Sequence, residues 1–89
     1  MPGYHFLIQI PTSVRKDISK IPKPWQERVR VAIDLLYDNP HYGEKMLGKL
    51  NDVRKIRVWP YRILYTVEQK EKVIVILEVH HRGSVSYNS

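Results

Sequence analysis

Basic residues are concentrated in the middle of this chain. Of its 15 lysines and arginines, six lie between residues 45 and 62, where Asp52 is the single acidic residue. The six are Lys45, Lys49, Arg54, Lys55, Arg57 and Arg62. Ammonium and guanidinium groups at this density are typical of surfaces that bind phosphate. Together with the net charge of +6, the segment indicates a polyanionic partner: nucleic acid, an acidic protein or an anionic membrane surface.

The spacing of these residues predicts a hairpin with two arginines side by side. If residues 59–60 form a two-residue loop, Arg57 lies opposite Arg62. In the same register Lys55 lies opposite Leu64, and the alternation of a strand puts Lys55 and Arg57 on one face with Arg62. Like charges directly opposite each other destabilise a sheet. The pairing therefore indicates either a solvated outer face or a patch that binds an anion, and we favour the anion.

Other residues with catalytic potential are few. His80 and His81 end the last predicted strand and point to opposite faces, so that one of them could transfer protons near neutral pH. Glu78, inside the same strand, either orients an arginine or is a surface residue. The four histidines lack metal-ligand spacing, and there is no glycine-rich phosphate loop. We therefore expect no metal and no cofactor.

The elements that position these residues follow from the hydrophobic pattern. Residues 4–10 alternate between apolar and polar, which predicts a strand with one buried face. A short helix follows residues 11–13, and a second, amphipathic helix runs from Pro24 until Asn39-Pro40 ends it. Residues 41–52 have the composition of a loop. Three strands are predicted over residues 53–58, 61–67 and 72–79.

This order predicts a single α+β domain over residues 1–89. We expect a largely antiparallel four-stranded sheet with two N-terminal helices on one face, in the order β-α-α-β-β-β. The absence of cysteine excludes a disulfide scaffold, a thiol nucleophile and a cysteine-based zinc site. No apolar run approaches the roughly 20 residues of a membrane span, and the N-terminus has no signal-peptide pattern. We therefore expect a cytoplasmic protein.

In chain order, several segments resemble the RelE/ParE superfamily of toxins from type II toxin–antitoxin pairs. They are Leu47-Gly48-Lys49-Leu50, Arg54-Lys55-Ile56-Arg57-Val58, Tyr61-Arg62-Ile63-Leu64-Tyr65, Val73-Ile74-Val75-Ile76-Leu77 and His80-His81-Arg82. The resemblance spans the chain in order and length, and it implies the RelE-like fold of one strand, two helices and three strands. RelE-type members cut messenger RNA in the ribosomal A site, whereas ParE-type members inhibit DNA gyrase.

The resemblance to RelE implies four catalytic residues. Lys55 matches a lysine proposed in proton transfer, and Arg62 matches an arginine that contacts the scissile phosphate. Arg82 matches an arginine proposed as acid or charge stabiliser, and Tyr87 matches a tyrosine that stacks on or orients the substrate. The residues expected to bind substrate are Arg57, Arg54, Lys49 and His81, of which His81 is also a reserve candidate for acid–base work.

The implied reaction is a metal-free RNA cleavage. The substrate's 2′-hydroxyl attacks the adjacent phosphorus and leaves a 2′,3′-cyclic phosphate and a free 5′-hydroxyl. Arginine stays protonated, so among Lys55, Arg57, Arg62 and Arg82 only Lys55 could act as base. The implied partners are an antitoxin whose helix or extended arm covers the basic face, the ribosome and messenger RNA. No membrane is implied, and DNA is implied only through the antitoxin complex.

Two other functions stay open. One is a ParE-like toxin that inhibits DNA gyrase, against which the basic residues and Tyr87 argue. The other is a catalytically inactive module that binds RNA or the antitoxin alone.

Overall fold

A computed structural model describes residues 6–46 and 52–82. The elements in chain order are β1 (Leu7–Gln9), α1 (Thr12–Ser19), α2 (Lys23–Leu35), β2 (Glu44–Lys45), β3 (Val53–Val58), β4 (Tyr61–Glu68) and β5 (Val73–His81). The predicted α+β class is confirmed. Within the described residues, no helix is long and apolar enough to cross a membrane.

The strands form one mixed sheet in the order β1-β5-β4-β3-β2. Strand β1 pairs parallel with β5, and all other neighbours are antiparallel. The sheet has five strands rather than the predicted four, because Glu44–Lys45 pairs with β3 inside the segment expected to be a loop. Two residues are too few to show the alternation by which a strand is recognised.

Both helices pack on the same face of the sheet. Val14 of α1 and Val29 and Ile33 of α2 are buried against the sheet face that carries Ile63 and Ile74. Helix α2 has Pro24 in its first turn, as predicted, where the missing N–H costs no hydrogen bond. Because side chains alternate along a strand, the residues next to these core positions point to the other face, which the helices do not cover.

Tyr65 ties the loop before β2 to this core. Its side chain is fully buried, and its hydroxyl donates to the Pro40 carbonyl at 2.9 Å and accepts from the Gly43 N–H at 2.8 Å. A Cβ at Gly43 would lie 2.8 Å from Tyr65 Cε1, so the close approach requires glycine. Burial raises the pKa of the Tyr65 hydroxyl, while the Gly43 N–H and Arg54 act in the opposite direction.

The Tyr65→Phe variant tests this anchor. Loss of the hydroxyl leaves the buried Gly43 N–H without its acceptor, and we expect about 1–3 kcal/mol less free energy of unfolding. Urea denaturation followed by circular dichroism measures the difference. The exposed Tyr42 is the matched control, and Tyr42→Phe should change stability by less than about 0.5 kcal/mol. Equal effects at both positions would contradict the anchoring role.

The wild type and Tyr65→Phe should also differ in how their free energy of unfolding depends on pH. Because the folded-state pKa of Tyr65 is raised above its ordinary value of 10.0, the folded chain holds this proton more tightly than the unfolded chain. The stability that Tyr65 contributes is therefore complete below pH 10.0 and is lost as pH rises through the folded-state pKa. We expect the stability gap between wild type and Tyr65→Phe to narrow in alkali, and a constant gap would contradict this.

Candidate phosphate-binding site

The hairpin between β3 and β4 places two arginines side by side. Residues Trp59 and Pro60 form the two-residue turn, with a cis peptide bond between them. Arg57 is the cross-strand partner of Arg62, and Lys55 is the partner of Leu64. The register predicted from the sequence is therefore confirmed.

Strand β5 adds further side chains to the sheet face that carries Arg57 and Arg62. His80 lies directly opposite Arg62, and Glu78 lies opposite Leu64. Arg57, Arg62 and His80 thus form one row across three strands that are roughly 4.8 Å apart. The row lies on the sheet face away from the helices, because the neighbouring positions Ile63 and Val79 belong to the core.

Arg82 is held at the tip of the hairpin. Its backbone N–H donates to the Pro60 carbonyl at 2.8 Å, which fastens the end of β5 to the turn. Its guanidinium Cζ lies 5.8 Å from the centroid of the Trp59 ring, within the range of a cation–π interaction. Arg82, 20 positions after Arg62 in the sequence, therefore lies near it in space.

These residues line a cavity of about 230 Å³. Its lining consists of Arg57, Trp59, Pro60, Tyr61, Arg62 and Arg82. Three of the six carry a guanidinium and none is acidic. Guanidinium groups bind phosphate oxygens through paired N–H donors, so the cavity has the chemistry of a phosphodiester site. Cations that a sheet places next to one another are also suited to stabilise negative charge that develops during a reaction.

Lys55 shares the face of this row but not the cavity. It is half-buried between Glu44 of β2 and Leu64 of β4, one row away from Arg57. It lines a neighbouring open cavity with Glu44, Lys45 and Met46. A flexible four-carbon side chain at this position can reach a group bound beside Arg57.

Arg54 does not join the cluster, although it was expected to bind substrate. It is one residue from Lys55 and therefore points to the helix-covered face. Its Nη1 donates to the Gly43 carbonyl at 2.7 Å and to the His41 carbonyl at 3.3 Å. The structure thus gives Arg54 an anchoring role beside Tyr65.

The two terminal histidines lie on opposite faces, as predicted, but His80 is the one beside the arginines. His81, the residue expected to bind substrate, points to the helix side, where its ring meets Tyr61 edge-on at 5.3 Å. His80 is largely buried, and its Nε2 lies 3.3 Å from Oε1 of Glu78. The alternation of side chains between the two sheet faces, counted from Arg62, could have identified His80 as the histidine on the arginine side. The resemblance to the toxin family pointed to His81 instead.

Two expected site residues, Lys49 and Tyr87, lie outside the described residues and stay predictions. In the described ranges, 6–46 and 52–82, no group of three or more metal-ligating side chains comes together.

Comparison with known proteins gives the family of this chain. The family described as "ParE toxin of type II toxin-antitoxin system, parDE" matches residues 8–85. Toxin RelG of Mycobacterium tuberculosis (strain ATCC 25618 / H37Rv) is 26% identical over 86 residues, which cover 90% of this chain and 94% of RelG.

Solved structures agree with this match. The RelBE2 toxin–antitoxin complex of Mycobacterium tuberculosis gives a TM-score of 0.78 at 26% identity, over 89% of this chain and 100% of the other. The archaeal RelE–RelB complex of Pyrococcus horikoshii OT3 gives 0.76 at 28% identity, over 92% and 100%. With the family match covering most of the sequence, the chain belongs to the RelE/ParE superfamily and is a toxin of a type II toxin–antitoxin system.

Proposed function

We propose that this toxin is a ribosome-dependent endoribonuclease that cleaves messenger RNA and so inhibits translation. The observation that carries the proposal is the cavity in which Arg57, Arg62 and Arg82 converge, with Lys55 and His80 on the same sheet face. The substrate's own 2′-hydroxyl serves as nucleophile. Cleavage then needs only a base, an acid and cations for the crowded phosphorus, and no metal.

The three arginines bind the scissile phosphate. As the 2′-oxygen attacks, the phosphorus acquires a fifth oxygen and additional negative charge. The hairpin register places the backbones of Arg57 and Arg62 side by side, and the hydrogen bond from its backbone N–H to Pro60 places Arg82 beside them. The three guanidinium groups therefore start close to the position where this charge develops, and cations placed there contribute electrostatically to the rate.

Two proton transfers complete the reaction. Lys55 serves as the base that takes the proton from the 2′-hydroxyl, and the bond between phosphorus and the 5′-oxygen breaks. For the leaving 5′-oxygen the proton donor is His80, whose Nε2 lies 3.3 Å from Oε1 of Glu78. Both ring nitrogens of His80 are buried, so its side chain has to turn outward when the RNA binds. We assign Arg82 to charge stabilisation rather than acid catalysis, because a guanidinium does not give up its proton. The products are a 2′,3′-cyclic phosphate and a 5′-hydroxyl.

The partners follow from the same surface. Both solved relatives named above are complexes of a toxin with an antitoxin. We propose that a cognate antitoxin covers the basic face of this chain with an acidic or mixed helix or extended arm. The ribosome is the second partner, in the cytoplasm, where the basic face lies among phosphates of ribosomal RNA. The affinity of this chain for the ribosome should fall steeply as the salt concentration rises.

Inhibition of DNA gyrase is the second candidate, because the matching family is described as a ParE toxin. The two functions can be distinguished by which process stops first in cells that express the chain. Early arrest of protein synthesis supports the endoribonuclease, and early arrest of DNA replication supports gyrase inhibition.

Alanine variants test the site directly. Lys55→Ala, Arg62→Ala and Arg82→Ala should each lower the rate of cleavage of ribosome-bound message by roughly 10²–10⁴-fold. Single-turnover assays with purified ribosomes measure the rates. Arg28→Ala removes the same charge from the exposed side of α2 and should leave the rate within about twofold. Full activity in all three site variants would refute the assignments.

The histidine pair gives a second test with an internal control. His80→Gln removes the proton donor beside Arg62 and should slow cleavage by about 10²-fold or more. A message with sulfur in place of the leaving 5′-oxygen needs no proton donor, so it should restore the rate of His80→Gln. His81→Gln should cleave both messages at nearly the wild-type rate. A defect in His81→Gln alone would move the proton transfer to the other face of the hairpin end.

A further inference from the structure

Trp59 is unusually exposed for the largest apolar side chain. It is 69% exposed, the highest value among the exposed large hydrophobic residues in the described part of the chain. Burying an indole is normally favourable, and the other tryptophan, Trp25, packs partly against the core. An indole held in solvent at the tip of a hairpin is therefore available to a partner.

The surroundings of Trp59 specify the chemistry of that partner. The residue lines the cavity that contains the three arginines, so its ring lies at the rim of the phosphate site. Arg82 attracts one face of the ring, with Cζ at 5.8 Å from its centroid. The large exposed area leaves the rest of the indole open to a second planar group.

We propose that Trp59 is a nucleobase-stacking residue that positions the RNA strand next to the scissile phosphate. A nucleotide joins a planar apolar base to an anionic phosphate, and this site joins an open aromatic ring to a cluster of guanidinium groups. Stacking does not depend on base identity, because every base has a π-face. The inference rests on the proposed function in that the same RNA occupies the arginine cavity.

The test is a binding measurement that requires no cleavage. In a Trp25→Phe background Trp59 is the sole tryptophan, so its emission reports on its own ring. A short single-stranded RNA with 2′-O-methyl sugars, which the proposed reaction cannot cut, should quench this emission saturably at low salt. The same strand without bases should bind more weakly and leave the emission unchanged.

Variants of Trp59 test whether the ring that reports binding by its emission also contributes to the affinity for the strand. Trp59→Ala should bind the base-containing strand roughly 5- to 100-fold more weakly, as measured by anisotropy of a labelled strand. Its affinity for the abasic strand should match that of the wild type. Trp59→Phe keeps an aromatic face and should recover most of the affinity. On ribosomes, Trp59→Ala should lower kcat/KM for message cleavage by a similar factor.

The possible outcomes separate this inference from the proposed function. Quenching and base-dependent binding by a protein that cleaves no message would support stacking and refute the endoribonuclease. Message cleavage at an unchanged rate by Trp59→Ala, with no quenching in the reporter protein, would overturn stacking and leave the endoribonuclease intact. Loss of neutralisation by a RelB-type antitoxin in Trp59→Ala, with RNA affinity unchanged, would assign the indole to a protein partner and also overturn the proposal.

Discussion

The site depends on one cross-strand pair, Arg57 opposite Arg62. Two guanidinium groups at directly opposed positions repel each other, which costs up to about 1 kcal/mol in a sheet. The two-residue turn at Trp59 and Pro60 leaves β3 and β4 no other register, so the repulsion is built into the hairpin. An anion bound between the two arginines would remove it, so the proposed phosphate binding would be favoured by relief of this repulsion as well as by hydrogen bonds.

The rest of the fold keeps this pair fixed and accessible. The helices cover the opposite face and bury Ile56 and Ile63, the pair next to the arginines in the ladder. At the other end of β3, Tyr65 and Arg54 fasten the loop before β2 through the Gly43 backbone. The hydrogen bond from Arg82 to Pro60 closes the hairpin tip onto β5. Packing on one face therefore fixes the backbone positions from which the cationic side chains on the other face extend.

Much of this could be predicted from the sequence, because strand alternation and a tight turn determine the register of a hairpin. Two of the residues expected to bind substrate, Arg54 and His81, lie on the face opposite the arginine row. Arg54 and His81 differ by one position from Lys55 and His80, and in a strand one position changes the face. Charge alone does not tell Arg54 from Lys55, and the resemblance does not tell His81 from His80; only the position of each residue in the ladder does. The short strand β2 and the contact between Arg82 and Trp59 depend on tertiary approach, which no local pattern records.

The most direct test of the account is to express the chain in cells and map the 5′ ends of messenger RNA on translating ribosomes, together with the chemistry of those ends. The account predicts cuts at fixed positions within A-site codons, each with a 5′-hydroxyl and a 2′,3′-cyclic phosphate. It also predicts that Arg62→Ala, which removes one of the paired guanidinium groups, abolishes the cuts. Intact messages in cells whose DNA replication has stopped would contradict it.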